Sequence, residues 1–425
     1  MIENIKQVES FFNNRYKFGI KPGLERMMFL LKNVGNPQQK INGVHIAGTN
    51  GKGSTIQFLR HALMKNELRV GVFSSPSLNG VLGHIQTNDG EIAEEVFLNL
   101  FNQLLPHIEE LDRQENHPTE FEIITVIAFM YFKDCVDIAL IEAGMGGKED
   151  TTNCFTPICS VITTVDRDHT AFLGDSITEI ASHKAGIIKP KVPVVIGDLS
   201  KEALTVVHQE ADKNQAPLFE FHKDFSVESI ETTSDSQSFE WFHQDQKIDI
   251  KIMLNGVYQI KNASLAMMVL FALKDKGLSL TIEKCLEGFK ETRIPGRYEE
   301  ISTNPRVIID GAHNIAGIQA FIDTVQENDE EKTKHLIFSG FKDKELMEML
   351  KLCLPHFDSI TVTTFDHPRA IKLEDLQIDG ENKIKINSDW KQVVREIVNK
   401  NNNELHFFTG SLNFIGKIRK YFVKK

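Results

Sequence analysis

Val44-His45-Ile46-Ala47-Gly48-Thr49-Asn50-Gly51-Lys52-Gly53-Ser54-Thr55 is the stretch from which the rest of this chain can be read. An apolar run of strand type gives way to three glycines and then to Ile56, Leu59 and Leu63 at helical spacing, so the order is strand, glycine loop, helix. A loop of this kind turns backbone N–H groups toward a phosphate, the opening helix adds its positive dipole end, and Lys52 adds a cation. Ser54 or Thr55 then offers a hydroxyl to a metal ion. The strict Walker A spacing is not met, because Gly53 follows Lys52 and Ile46 stands where the first glycine belongs. A turn without a ligand is the bland alternative, and a lysine among glycines with paired hydroxyls behind it favours a P-loop variant.

The composition sets limits. At 425 residues the chain exceeds one ordinary core, and two domains are expected. Apolar content of 41% with 25% charged residues is a globular balance. A net charge of -11 argues against a nucleic-acid backbone as partner, since such binding draws on clustered Lys and Arg. The longest apolar stretch, Ile123 to Phe132, is far short of the roughly 20 residues of a membrane span. Without a leader-like N-terminus the expectation is a cytoplasmic chain with no membrane partner, and a monomer. Cys135, Cys154, Cys159, Cys285 and Cys353 are odd in number and form no CxxC pair, so they read as free thiols.

Outward from the loop, helical spacing of Ile5, Val8, Phe11, Phe12 and of Leu24, Met27, Met28, Leu31 predicts two short helices, interrupted at Gly19-Ile20-Lys21-Pro22-Gly23. Val70 to Phe73 reads as a strand ending in Ser74-Ser75-Pro76. Thr119 and Glu122 are spaced as a capping box for an apolar helix. Val136 to Ile141 reads as a buried parallel strand that delivers Glu142 at its C-terminal end, where ligands of open α/β sheets sit. There Glu142 either caps the strand or holds Mg²⁺, which prefers oxygen ligands. A third strand, Ser160 to Val165, is predicted to end in Asp166-Arg167-Asp168-His169.

In the helix Ile177 to Ile188, Lys184 shares a stripe with Ile177, Ile180 and Ala181. A lysine there either snorkels to water or, desolvated, becomes a neutral amine able to take up CO₂. From Phe225 the period changes to two, predicting a small antiparallel sheet. Asn262 is placed to N-cap a helix from Ala263 to Leu273. Pro295-Gly296 marks the domain boundary, and beyond it four apolar runs alternate with helical pattern. No G-x-G-x-x-G follows the first of these, which rejects a dinucleotide site. The charged stretch Glu327 to Lys334 reads as a solvated loop.

Seven motifs in order then resemble the folylpolyglutamate synthase and dihydrofolate synthase family of the Mur ligase superfamily. They are Gly-Thr-Asn-Gly-Lys-Gly-Ser, Ser75-Pro76, Glu142-x-Gly-x-Gly-Gly, Asp168-His169, His183-Lys184-Ala185-Gly186, Pro295-Gly296-Arg297 and Asp310-Gly-Ala-His-Asn. The resemblance implies an ATP-dependent ligase that joins L-glutamate to folate or dihydropteroate through an acyl phosphate. It implies ATP contacts at Thr49, Asn50, Gly51, Lys52, Gly53, Ser54, Asn262, Arg297, Asp310 and His313. It implies Mg²⁺ at Ser54, Ser75, Glu142 and His169, a carbamylated Lys184, and catalytic roles for Lys52, Lys184, His169 and Arg297.

The fold expected is α/β: a P-loop N-terminal domain, 1–294, with a mostly parallel sheet plus a small antiparallel sheet, and a Rossmann-like C-terminal domain, 295–425. Where relatives usually read Ser-Pro-Phe or Ser-Pro-His and later Glu-Arg-Ile, this chain has Ser75-Pro76-Ser77 and Gly83-His84-Ile85, so an aromatic ring and a charge pair are missing. Two other classes stay in view. A switch-type NTPase lacks its strict Walker A and Asn-Lys-x-Asp here, and a Mur-like ligase for a non-folate acid would usually carry a UDP-binding domain before the P-loop, for which 47 preceding residues leave no room.

Overall fold

Apolar runs too continuous for a half-exposed sheet become the centre of an eight-stranded one. The computed structural model describes residues 1–425 except 20, 22, 78, 234, 329–331, 377–382, 400–403 and 424–425. Ile20 and Pro22 of the entry segment, Leu78, and residues 329–331 of the charged stretch therefore lie outside the described residues. The strands are β1 (Gly43–Ala47), β2 (Val70–Phe73), β3 (Ile85–Thr87), β4 (Gly90–Glu91), β5 (Ile138–Glu142), β6 (Cys159–Ile162), β7 (Val194–Ile196) and β8 (Leu218–Glu220), ordered β4-β3-β2-β5-β1-β6-β7-β8. All pair in parallel except β3 and β4. Every residue of β1, β2, β5 and β6 is buried, as parallel strands covered on both faces must be.

The chain divides into two compact units, 1–232 with 237–253 and 260–292, and 233–236 with 254–259 and 293–425. In the first, one core gathers Phe73, Ala139 and Ile141 with Phe97, Phe101, Ile127 and Phe129 from the helices Glu94–Arg113 and Glu120–Cys135. A second packs Ala47, Ile162 and Ile196 against Ile180, Ala185 and Val207. The helix Glu120–Cys135 starts on the predicted capping box, and Glu122 also takes the buried Arg26 guanidinium at 2.9 Å. A structural pair explains both residues. The small sheet β9 (Phe225–Thr232), β10 (Gln237–His243) and β11 (Gln246–Ile252) is antiparallel and also belongs to this unit.

The second unit carries β12 (Glu299–Thr303), β13 (Arg306–Ile309), β14 (Lys334–Phe338), β15 (Ser359–Val362), β16 (Ile384–Ile386) and β17 (Leu405–Thr409), ordered β12-β13-β17-β14-β15-β16. Only β12 pairs antiparallel among them.

Two expectations are corrected. The third strand stops at Ile162, because Thr163 to Asp166 leave the sheet to bond the glycine loop. The helix expected from Ala263 instead runs Val257–Asp275, so Asn262 lies inside it and cannot be its N-cap.

The helices Lys52–Lys65 and Ile282–Glu291 pack closely at Gly288, where a Cβ would stand 2.6 Å from the backbone of His61 and Ala62. Backbone cannot yield as a flexible side chain can. Gly288→Ala is expected to lower stability by about 1–3 kcal/mol. In urea unfolding the midpoint should fall at constant m, and an unchanged midpoint would show that the two helices are free to separate.

Candidate active site

Sheet register brings three strand ends level. Ile46 of β1 lies opposite Glu142 of β5, and Ala47 lies opposite Ile162 of β6. With neighbouring strands roughly 4.8 Å apart, the glycine loop, Glu142 and the Thr163 segment emerge side by side at the switch point of the sheet.

The glycine loop is shaped by what touches it. Thr49 N–H donates to Thr164 O at 2.9 Å, Asn50 N–H donates to Thr164 Oγ1 at 3.0 Å, and Thr163 Oγ1 donates to Asn50 O at 2.5 Å. Thr49 Oγ1 accepts from Asp166 N–H at 3.0 Å. A Cβ on Gly48 would fall on the Thr163 hydroxyl, and one on Gly51, at φ 87°, would fall on Asn262 Oδ1, so both positions require glycine. Asn262 thus reaches the loop from mid-helix. Lys52 Nζ donates to Gly48 O at 2.9 Å and Thr49 O at 3.2 Å, and stands 4.0 Å from Glu142 Oε1. Ser54 and Thr55 are both buried in the first turn of the helix, and Thr55 Oγ1 has no hydrogen-bond partner among the described residues.

Glu142 is buried and its Oε2 accepts Ser75 N–H at 3.2 Å, which joins the β2 loop to the end of β5. In the loop that lacks an aromatic ring and a charge pair, hydrogen bonds join several of the described residues. Ser77 Oγ accepts Asn79 N–H at 3.1 Å, Asn79 Nδ2 donates to Glu91 at 2.6 Å, and His84 N δ1 lies 2.8 Å from Ser74 O. Burial lowers the His84 pKa against the pull of that carbonyl.

Lys184 is only 3% exposed. Burial, then the Lys52 charge, lowers its pKa to about 7, while Asp168, Asp166 and Asp150 act in the opposite sense. The snorkelling alternative is thereby excluded. Asp166 is itself pushed up by burial and held down by the Thr164 hydroxyl and Lys184. His169 has φ 52°, and its Nε2 lies 3.9 Å from Asp168 Oδ2.

The second unit assembles its own group. Asp310, at the end of β13, is buried; its Oδ2 accepts Tyr298 N–H at 2.9 Å and its Oδ1 accepts Ala312 N–H at 2.8 Å. Burial raises its pKa and the Arg297 charge opposes this, so Arg297 and Asp310 act on one another. His313 Nδ1 lies 2.8 Å from Gly311 O, and Asn314 caps the following helix through Gly317 N–H at 2.8 Å.

Among the described residues no group of three or more His, Cys, Asp or Glu side chains is gathered as for a metal ion. Glu142, Asp168 and His169 are therefore not a dedicated cage. A single carboxylate with neighbouring hydroxyls still fits Mg²⁺, which keeps several waters and shares its shell with substrate phosphates. The five cysteines are free, and burial pushes their thiols up to about 11 or 12, which rules out a thiolate nucleophile. Sequence reading missed Thr163, Thr164 and Asp166 as shapers of the loop. The signal was there, as hydroxyls and a carboxylate closing an apolar run.

Residues 46–270 match the Mur ligase middle domain and residues 296–412 match the Mur ligase glutamate ligase domain. The chain is 36% identical to the dihydrofolate synthase/folylpolyglutamate synthase of Bacillus subtilis, over 99% of either chain. It is 33% identical to the folylpolyglutamate synthase of Lacticaseibacillus casei, over 93% of either chain. Among solved structures, the Mycobacterium tuberculosis folylpolyglutamate synthase complexed with ADP and AMPPCP superposes with a TM-score of 0.89 at 28% identity, covering 98% of this chain and 97% of that one.

The Lys184 amine titrates near pH 7 when folded, against roughly 10.4 when unfolded. Between these values the unfolded chain binds more protons, so this group makes stability rise with pH; below about pH 7 the full cost of burying the charge persists. In CO₂-free buffer, Lys184→Met should be more stable than wild type at pH 6.5 to about 7, with the gap closing toward roughly pH 10. A gap that stays constant over that range would show that the amine is not desolvated.

Proposed function

The chain belongs to the folylpolyglutamate synthase and dihydrofolate synthase family of Mur ligases, and on that premise we propose how its residues share the work of joining L-glutamate to a folate-type carboxylate with ATP. One observation carries the assignment: a P-loop lysine 4.0 Å from a buried carboxylate at the switch point of a parallel sheet. That pairing suits a nucleoside triphosphate and its cation.

Amide formation from a carboxylate is uphill, so the γ-phosphate is first transferred to the acceptor, and the amine of glutamate displaces phosphate from the resulting acyl phosphate. Such transfer depends on alignment and charge neutralisation, which is consistent with the absence of a thiolate nucleophile. Thr49, Asn50, Gly51, Gly53 and Ser54 cradle the phosphates, and Lys52 exchanges the carbonyls of Gly48 and Thr49 for phosphate oxygens. Asn262, held against Gly51, contacts the nucleotide. Arg297 offsets phosphate charge in this reading, with Asp310 and His313 at the ribose or phosphates. Ser54, Ser75, Glu142 and His169 would hold Mg²⁺, which when bound neutralises charge on the transferred phosphoryl group.

Lys184, whose pKa burial lowers to about 7, carries a neutral amine in part of the molecules at that pH, and that amine takes up CO₂ as a carbamate and so supplies a further anionic oxygen ligand in this reading. Residues 1–294 form the nucleotide domain in this reading and 295–425 the ligase domain. The protein works as a cytoplasmic monomer on small molecules, and its free thiols fit a reducing compartment.

Steady-state assays with ATP, glutamate and a panel of dihydropteroate, tetrahydrofolate and non-pterin acids test the assignment. Ligation of a folate-type acid is expected, with Ser77→Phe changing KM for the acceptor more than kcat. Lys52→Ala should lose at least about 10²-fold in kcat while remaining folded. Turnover of a non-pterin acid alone would favour a Mur-like ligase of other specificity, and ATP hydrolysis indifferent to every acid would favour a switch NTPase.

Carbamylation has a separate readout. Active enzyme equilibrated with ¹³CO₂ should show a carbamate carbon signal that Lys184→Ala lacks, and short carboxylates should restore part of the variant's activity. An active protein without the signal would reject the modification.

A further inference from the structure

His45 is the one member of the glycine-loop strand that is titratable, and it is fully buried. Its Nε2 lies 2.8 Å from Thr152 Oγ1, and Thr152 Oγ1 donates to Asp150 Oδ1 at 2.5 Å. Since the single hydroxyl proton of Thr152 goes to Asp150, the Thr152 oxygen accepts from His45 Nε2–H. The network thus assigns the Nε2–H tautomer. His45 Nδ1 has no partner among the described residues, which suits a bare lone pair better than a buried N–H. Burial, then the Lys189 charge, lowers the His45 pKa to about 3, so the ring is neutral under ordinary conditions.

Asp150 passes the restraint on. It accepts Met145 N–H at 2.8 Å and Thr152 N–H at 3.0 Å; burial raises its pKa, and the Thr152 hydroxyl with the Met145, Thr152 and Gly144 N–H groups opposes this. Those donors lie in the loop that leaves Glu142. The same segment grips the helix Ile177–Ala185: Lys148 N–H donates to His183 O at 2.7 Å, and Asn153 Nδ2 donates to Gly186 O at 3.1 Å. Lys184 sits between those two anchor points.

We propose that His45, Thr152 and Asp150 form a buried positioning chain that ties the strand under the glycine loop to the loop behind Glu142 and to the helix of Lys184, and that turnover depends on it. The inference rests on the ligase reading. His45 and Thr152 touch no substrate in it; they act by holding Asp150, and Asp150 acts on the loop backbone.

Thr152→Val keeps the shape and removes the hydroxyl, and Thr152→Ser restores it. Thr152→Val should lower kcat on the order of 10–100-fold with KM for ATP within about twofold, as expected when catalytic groups shift by fractions of an ångström. Thr152→Ser should keep kcat within about threefold of wild type. If Thr152→Val does not fold, His45→Leu breaks the chain from its other end and should give the same split. Wild-type kcat in Thr152→Val or His45→Leu, or equal loss in the serine and valine variants, would overturn the proposal. Wild-type enzyme assayed in parallel separates the two readings, since its failure to ligate glutamate would sink the ligase assignment itself.

Discussion

The hydrogen bonds between Thr49–Asn50 and Thr163–Asp166 are the constraint on which the glycine loop depends. A glycine loop is conformationally permissive, and fixing it costs backbone entropy of about 1–2 kcal/mol per residue. The neighbouring strand end supplies the compensation. By stopping at Ile162, β6 frees the carbonyl and hydroxyls that the loop needs, and the same departure brings the Asp166 backbone onto the Thr49 hydroxyl. Loop geometry is therefore set by one short segment.

Around this clasp the charges are balanced rather than neutral. Lys52 and Lys184 repel, which helps hold Lys184 below the usual lysine range, while Asp150, Asp166 and Asp168 pull the other way. Lys52 rests on loop carbonyls beside Glu142, an arrangement that a polyphosphate can displace by offering more negative oxygens. The site is built on strand ends and helix starts, elements more rigid than loops.

Much of this was legible in the sequence. The strand, glycine loop and helix at Val44 to Thr55, the strand delivering Glu142, the capping box at Thr119 and the buried Lys184 all followed from local pattern, because each is a short-range signal with a short-range cause. Strands β3, β4, β7, β8, β12 and β16 were not predicted, being two to five residues long with too few turns of alternation to register. Asn262 misled because asparagine is a good N-cap, whereas its helix starts at Val257 and tertiary contact with Gly51 uses the side chain instead. The His45–Thr152–Asp150 chain was invisible for another reason: its bonds span 107 residues between His45 and Thr152, and only the fold brings them together.

In the proposed reaction ATP activates the acceptor carboxylate and glutamate is the nucleophile. An acceptor labelled with ¹⁸O in its reacting carboxylate tests this most directly, with inorganic phosphate from a single turnover analysed by mass spectrometry. An acyl phosphate requires one labelled oxygen to pass from the acceptor into each phosphate released. Amide product accompanied by unlabelled phosphate would contradict it.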